Sequence, residues 1–224
     1  MPKTLVFARS YDEVDNIRTF VFENDGLSWK PGQYQTYILP QVGEGGAAKR
    51  FFTIASAPSE GEIHISTRVT GSDFKQALNR LVAGDTIEVS GLEGDFTWDE
   101  PTAAPVLLVA AGIGVTPYRS MLIERGALGL PLSATLLYFT RDDKVPFRDE
   151  LDSLAARHDE LTIEYVTGQP VTAEAILSCH AQMPKAPIYI SGPEGMVDAI
   201  GEQLTTAGVE LKQDWFPGYS ETSF

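Results

Sequence analysis

"AAGIGVTP", residues 110–117, decides how this chain is read. It follows an apolar run, "PVLLV", and precedes "YRSMLIERG", which can be helical. A glycine-rich turn between a buried strand and a helix lets backbone N–H groups approach a phosphate. Gly112 and Gly114 permit the sharp turn. Thr116 is placed to cap the helix, and Pro117 to take its first position, where a missing N–H costs nothing. The third glycine of the G-x-G-x-x-G pyrophosphate fingerprint is absent, with Pro117 in its place, so the loop differs in shape from the usual turn. A tight strand-to-helix turn without a ligand satisfies the same pattern.

The stretch sits where the hydrophobic period changes. Before it, "KTLVFARSY", "IRTFVFEN", "YQTYILP", "RFFTIASA", "EIHISTRV" and "TIEVSGLEG" are short runs rich in Val, Ile, Thr, Tyr and Phe, separated by Gly and Pro. Several alternate apolar and polar side chains, as half-buried strands do. Six such strands predict a closed antiparallel barrel of Greek-key type, which removes exposed edges. One segment breaks the alternation. In "SDFKQALNRL", Phe74, Ala77, Leu78 and Leu81 recur at the helical period, predicting a helix that caps the barrel. After a linker, "DEPTAAP", apolar runs alternate with helical segments as far as "EGMVDAIGEQLTTAG". That alternation predicts a doubly wound parallel sheet. The expected domains are a β-barrel over 1–100 and an α/β unit over 101–224, with "AAGIGVTP" at the carboxyl end of the second unit's first strand. Ligands of open α/β sheets gather on that rim.

Two further stretches bear on it. "APIYISGPEGMVDAI" (186–200) is another strand, turn and helix, and puts Ser191, Gly192 and Pro193 on the same rim. Gly-Pro is also a common plain turn. "RFFTIASAP" (50–58) offers Arg50 as a phosphate partner, the flat ring of Phe52 and the hydroxyl of Thr53, or else a buried strand with a surface arginine.

Composition excludes other classes. Of 224 residues, 31 are Asp or Glu and 17 Lys or Arg, a net charge of −14, which argues against nucleic-acid binding and insertion into anionic membranes. One cysteine, Cys179, cannot form an internal disulfide or ligate an iron–sulfur cluster. With His64, His158 and His180 scattered, no metal site is expected. No run approaches a membrane span, and the N-terminus lacks a signal-peptide core, so a cytoplasmic location is expected.

Together and in this order the pieces resemble the ferredoxin–NADP reductase superfamily, flavin-dependent enzymes with a β-barrel FAD domain and a C-terminal NAD(P) domain. The barrel pattern Arg-x-Tyr-Ser/Thr reads Arg50-Phe51-Phe52-Thr53 here, and a glycine before the capping helix is Gly71. Gly-x-Gly-x-x-Pro spans Gly112 to Pro117, Cys/Ser-Gly-Pro-x-x-Met spans Ser191 to Met196, and "DWFPGY" is similar to the C-terminal aromatic segment. The resemblance implies that Arg50 binds the FAD phosphates, Phe52 packs on the flavin or its ribityl chain, and Thr53 hydrogen-bonds near N5. Ile65, Ser66 and Thr67 would line the ribityl and phosphate groups with backbone. Gly71 and Ser72 would present N–H groups to the pyrophosphate, with Arg68 and Lys75 beside them. Gly112, Gly114, Thr116 and Pro117 would shape the nicotinamide nucleotide site, flanked by Gly192, Pro193 and Met196. Thr53 and Ser191 are the implied catalytic pair. Tyr219 and Phe224 compete for the C-terminal aromatic position. The chain departs from the pattern at Phe52, which lacks the tyrosine hydroxyl, and at Ser191, which replaces the cysteine of plant-type members.

The expected function is hydride transfer from NAD(P)H to bound FAD, then electron transfer to ferredoxin, flavodoxin or a small-molecule acceptor. A basic patch of Lys30, Lys49, Lys75 and Arg80 is the expected docking surface. After the strand "ATLLYFT", Arg141 suits a 2′-phosphate, while Asp142 and Asp143 repel it or bind a free 2′-hydroxyl. The balance favours NADPH, with NADH also used. A free-flavin reductase, a clusterless electron-transfer subunit and a non-catalytic flavin or nucleotide sensor stay open.

Overall fold

Alternating β-branched and aromatic residues build the first half of the chain. The computed structural model describes residues 3–43, 45–69, 71–98 and 104–216, the side chains of 46, 47 and 216 excepted. The first half contributes strands β1 (Lys3–Val14), β2 (Ile17–Glu23), β3 (Tyr34–Ile38), β4 (Lys49–Thr53), β5 (Glu62–Arg68) and β6 (Thr86–Val89). They form one antiparallel sheet in the order β4-β3-β6-β1-β2-β5. The Ala55 N–H donates to the His64 carbonyl at 2.8 Å, drawing the two edge strands together and closing the sheet into the expected barrel. Inward-facing Phe7, Phe20, Phe22, Tyr37, Phe52, Ile63 and Ile65 fill it. Helix α1 (Asp73–Leu78) covers one end with Phe74, Ala77 and Leu78 buried, and the Ser72 hydroxyl caps it by accepting from the Lys75 N–H.

The second half alternates β7 (Val106–Ala111), α2 (Thr116–Ala127), β8 (Ala134–Thr140), α3 (Arg148–Ala155), β9 (Leu161–Thr167), α4 (Ala173–His180), β10 (Ile188–Pro193), α5 (Glu194–Thr206) and β11 (Leu211–Phe216). The sheet is parallel, in the order β11-β10-β7-β8-β9. Every residue of β7 and β8 is buried, which is why both read as continuous apolar runs. Leu108 and Leu136 face one apolar layer with Tyr118, Leu122 and Leu151, while Leu107 and Val109 face another with Ile176, Val197 and Leu204. Sequence reading does not find β11, whose "LKQDWF" alternates too little to read as a strand.

The chain winds one way from β7 through β8 to β9, then crosses to β10 and β11. The strand order therefore reverses between β7 and β10, the position at which doubly wound sheets hold ligands. There the two glycine turns touch. A Cβ built on Gly114 would lie against the Ser191 carbonyl and 2.8 Å from the Gly192 Cα. Gly114 thus serves a close approach of two backbones rather than of a ligand. Gly114→Ala should cost roughly 1–3 kcal/mol through overpacking against rigid backbone, a fall in Tm of about 2–10 °C. Gly195→Ala, which enters open space on α5, should leave Tm unchanged or raised. Paired thermal melts check both.

Candidate active site

On the barrel side, β4 sets the faces. Side chains of a strand alternate, so Phe51 and Thr53 point to one side and Arg50 and Phe52 to the other. The ring of Phe52 lies in the barrel core, 5.6 Å from Tyr37 and 6.1 Å from Phe74 between centroids. The ring at the cleft is Phe51, 49% exposed and edge-on to Tyr34. The ring of Phe52, expected to pack on the flavin or its ribityl chain, thus lies in the barrel core and does not line this cleft. Arg50 does reach the capping helix, its guanidinium 5.5 Å from the Phe74 ring centroid. Gly71 has open space around it at the start of that helix, but Lys75 is buried and joins no surface patch. Ile65 and Thr67 are fully buried and Ser66 hydrogen-bonds Thr19 at 2.7 Å. What β5 offers outward is backbone, because it is an edge strand of the sheet, next to β2.

On the α/β side, Gly112 has φ 54, a left-handed conformation suited to glycine. Residues Gly112–Val115 form a 3₁₀ turn that runs into α2. Thr116 is therefore already helical and its hydroxyl donates to the Ile113 carbonyl at 3.1 Å, so it is not the N-cap, and Pro117 follows it inside the first turn. Gly192 is small because Met196 and Ala111 close on it, at 2.6 and 3.0 Å from a built Cβ. Pro193 is buried beside it at the end of β10.

Three clefts follow from this arrangement. One of about 420 Å³ on the carboxyl rim is lined by Ala111, Phe139, Thr140, Arg141, Gly168 and Met196, among others. A narrow cleft beside it brings Arg68 of β5 to Gly112, Arg141 and Lys144. Arg68 thus faces the nucleotide rim instead of the capping helix. The third, about 340 Å³, lies between the domains, with Tyr34, Phe51, Thr53 and Asp95 from the barrel side and Asp214 and Trp215 from β11. Ser191 pairs in register with Asp214 but is fully buried, so of the implied catalytic pair only Thr53 reaches this cleft. Tyr219 and Phe224 lie outside the described residues.

Residues 108–202 match the family model described as "Oxidoreductase NAD-binding domain". Ferredoxin–NADP reductase B of Sorangium cellulosum is 36% identical over 69% of this chain and 61% of its own. The ferredoxin reductase component of 3-ketosteroid-9-alpha-monooxygenase from Mycobacterium tuberculosis is 30% identical over 93% of this chain and 63% of its own. The FAD/NAD-binding domain of nitric oxide dioxygenase from Vibrio cholerae has the same fold, with a TM-score of 0.76 at 22% identity over 96% of this chain and 98% of that one. The chain belongs to the ferredoxin–NADP reductase-like family of FAD- and NAD(P)-dependent oxidoreductases. It spans about three fifths of the length of these two curated relatives. No helix among the described residues is long and apolar enough to cross a membrane.

Asp214 is one residue of this candidate site that sequence reading misses, with Tyr34, Phe51, Asp95 and Trp215. It stands in the quoted "DWFPGY", but nothing local marks it, because its environment comes from the partner strand and the other domain. Burial pushes its carboxyl up to about 7; the Ser191 hydroxyl and Trp215 amide oppose the rise, and the Asp95 carboxylate across the cleft adds to it. Among the described residues, Ser191 Oγ and Asp214 Oδ2 are buried without a well-formed hydrogen bond. A raised acid binds its proton more tightly folded than unfolded, so stability falls as pH rises from the ordinary 3.8 towards 7 and is flat above. Asp214→Asn should remove that slope. Urea melts across this range check it, and an unchanged slope would assign it to other groups.

Proposed function

We propose that this chain holds FAD on the barrel, binds NAD(P)H on the carboxyl rim, and passes the electrons to a redox protein. The observation that carries the reading is the cleft between the domains, where Thr53 and Phe51 of the barrel face Asp214 and Trp215 of β11. The residues present suit the two cofactors. The facing edges of β4 and β5, with Arg50 stacked on the capping helix, suit an elongated phosphate-bearing ligand. Gly112 and the rim cleft suit a dinucleotide. FAD, when bound, supplies the conversion of two-electron to one-electron chemistry, and the protein supplies binding and orientation.

Each chain residue then has a role. Arg50 binds phosphate, with Gly71 opening the backbone beside it. Ile65, Ser66 and Thr67 lend the backbone of the β5 edge. Thr53 and Asp214 line the place where the reacting rings meet, Asp214 with a proton available near neutral pH. Gly112, Met196 and Arg141 hold the nucleotide, and Arg68 adds positive charge beside its phosphates, whereas Lys144 Nζ is paired with Asp15 at 2.7 Å. Arg141 stands on the rim cleft and Asp143 faces a different one, while Asp142 lines the narrow cleft together with Arg141, its carboxylate accepting from the Lys144 N–H at 2.9 Å. That arrangement supports NADPH over NADH. A ferredoxin or flavodoxin is the proposed acceptor, in keeping with the names of the relatives, and Lys49 shares the outward face of β4 with Phe51 and Thr53.

The purified protein should be yellow, and denaturation should release FAD. Release of FMN, or reduction of added flavin by a colourless protein, would favour the free-flavin reductase instead. Arg50→Ala should weaken FAD binding about tenfold to hundredfold, the loss of a charge-assisted hydrogen bond; titration of apoprotein measures it. Arg141→Ala should raise KM for NADPH about tenfold and leave that for NADH unchanged. Equal effects on both nucleotides would remove Arg141 from the site.

A further inference from the structure

The strongest polar contact between the domains lies behind the cleft. Arg119 of α2 is 3% exposed. All five N–H donors of its guanidinium are used. Nε and NH2 donate to the two Glu150 oxygens at 2.7 Å each, and NH1 and NH2 to the Glu60 oxygens at 2.8 and 2.9 Å. The fifth bond, NH1 to the Ala55 carbonyl, is 2.8 Å. Ala55 is two residues beyond Thr53 on the same strand exit, and Arg119 is five residues beyond Gly114. The next residue of α2 repeats the link, as Ser120 Oγ donates to the Ser56 carbonyl at 2.6 Å. One turn later the Ser59 N–H donates to Glu124 at 2.8 Å.

We propose that Arg119 is a positioning residue for hydride transfer: by joining Ala55 and Glu60 of the barrel to Glu150 of α3, it fixes the separation between Thr53 and the glycine turns of the nucleotide rim. The inference rests on reading the interdomain cleft as the place where flavin and nicotinamide meet. Arg119 itself is buried, and its hydrogen-bond partners Ala55, Glu60 and Glu150 are not among the residues assigned to cofactor binding. A planar fork that binds two carboxylates and a carbonyl at once defines a distance and an angle, which a point charge on a flexible stem does not. Hydride transfer is sensitive to such placement, since a misplacement of about 1 Å can cost about a hundredfold in rate.

The experiment compares wild type, Arg119→Lys and the triple variant E60Q/R119M/E150Q, all loaded with FAD. The triple variant neutralises both carboxylates that Arg119 binds, so it tests positioning without the repulsion between Glu60 and Glu150 that Arg119→Met alone would create. Flavin reduction at saturating nucleotide should slow by about a hundredfold in the triple variant, with the dissociation constants for FAD and nucleotide unchanged. X-ray scattering should show an expanded, more variable interdomain arrangement. Arg119→Lys should stay slow, because charge alone does not restore the fork. Full rescue by lysine, an unaltered reduction rate in the folded triple variant, or unaltered scattering would each overturn the proposal. If wild-type flavin is reduced by neither nucleotide, the oxidoreductase reading fails, and the clamp is then decided by scattering alone.

Discussion

Gly114 packs backbone on backbone against Ser191 and Gly192, and the α/β half of the site depends on that contact. A side chain there would hold the loop after β7 away from the end of β10. With hydrogen in its place, the two turns meet where the strand order reverses, and Gly112, Ala111 and Met196 converge on one rim. Pro117 follows from the same constraint. The loop already coils as a 3₁₀ turn before α2, so a proline in the first helical turn sacrifices no hydrogen bond. The missing third glycine therefore marks a different route into the helix.

Along α2 the barrel meets this unit through polar groups. Taking a guanidinium and two carboxylates out of water is costly, and such clusters are often no more stabilising than apolar packing of the same volume. What they add is a defined geometry. Burial opposes ionisation of Glu60, but the hydrogen bonds and charge of Arg119 outweigh it and hold the carboxyl below its ordinary range. Glu13, nearby, is pushed the other way by burial, with Arg119 pulling it down and Glu150 pushing it up. Aromatic packing supplements the clamp: Phe96, at the end of the barrel half, lies 5.8 Å from Tyr118 and 5.7 Å from Tyr189. Gly32 carries φ 95 and makes room for the Phe96 carbonyl and for Met121 of α2.

The fold was legible where one physical rule acted alone. Strand alternation marked β1 to β6, continuous burial marked β7 and β8, and Phe74, Ala77 and Leu78 marked the capping helix. The glycine turns were legible as turns, though the reason for Gly114 lies in Ser191, which is 77 residues away. What escaped the sequence was decided by neighbours. Lys212, Gln213 and Asp214 were not read as a strand because β11 is held by pairing with β10 and is half exposed. Phe51 and Phe52 are chemically alike, and only the register of β4 with β3 decides which one enters the barrel. Thr116 looked like a cap because a 3₁₀ turn before a helix leaves no mark in composition. Arg119 looked like an ordinary helix residue, since its partners lie at Ala55, Glu60 and Glu150.

The domain boundary ends in opposite electrostatics. At Arg119 a cation is shared by carboxylates from both sides, which draws barrel and α/β unit together. At the cleft, Asp95 of the barrel and Asp214 of β11 carry like charge when both ionise, which works against closure. An attractive contact at one end and a repulsive pair at the other leave the boundary anchored along α2 and open at Thr53. Uptake of a proton by Asp214 relieves the repulsion without altering the anchor. The boundary is thus held at Arg119, while like charges face each other across the cleft lined by Phe51 and Trp215.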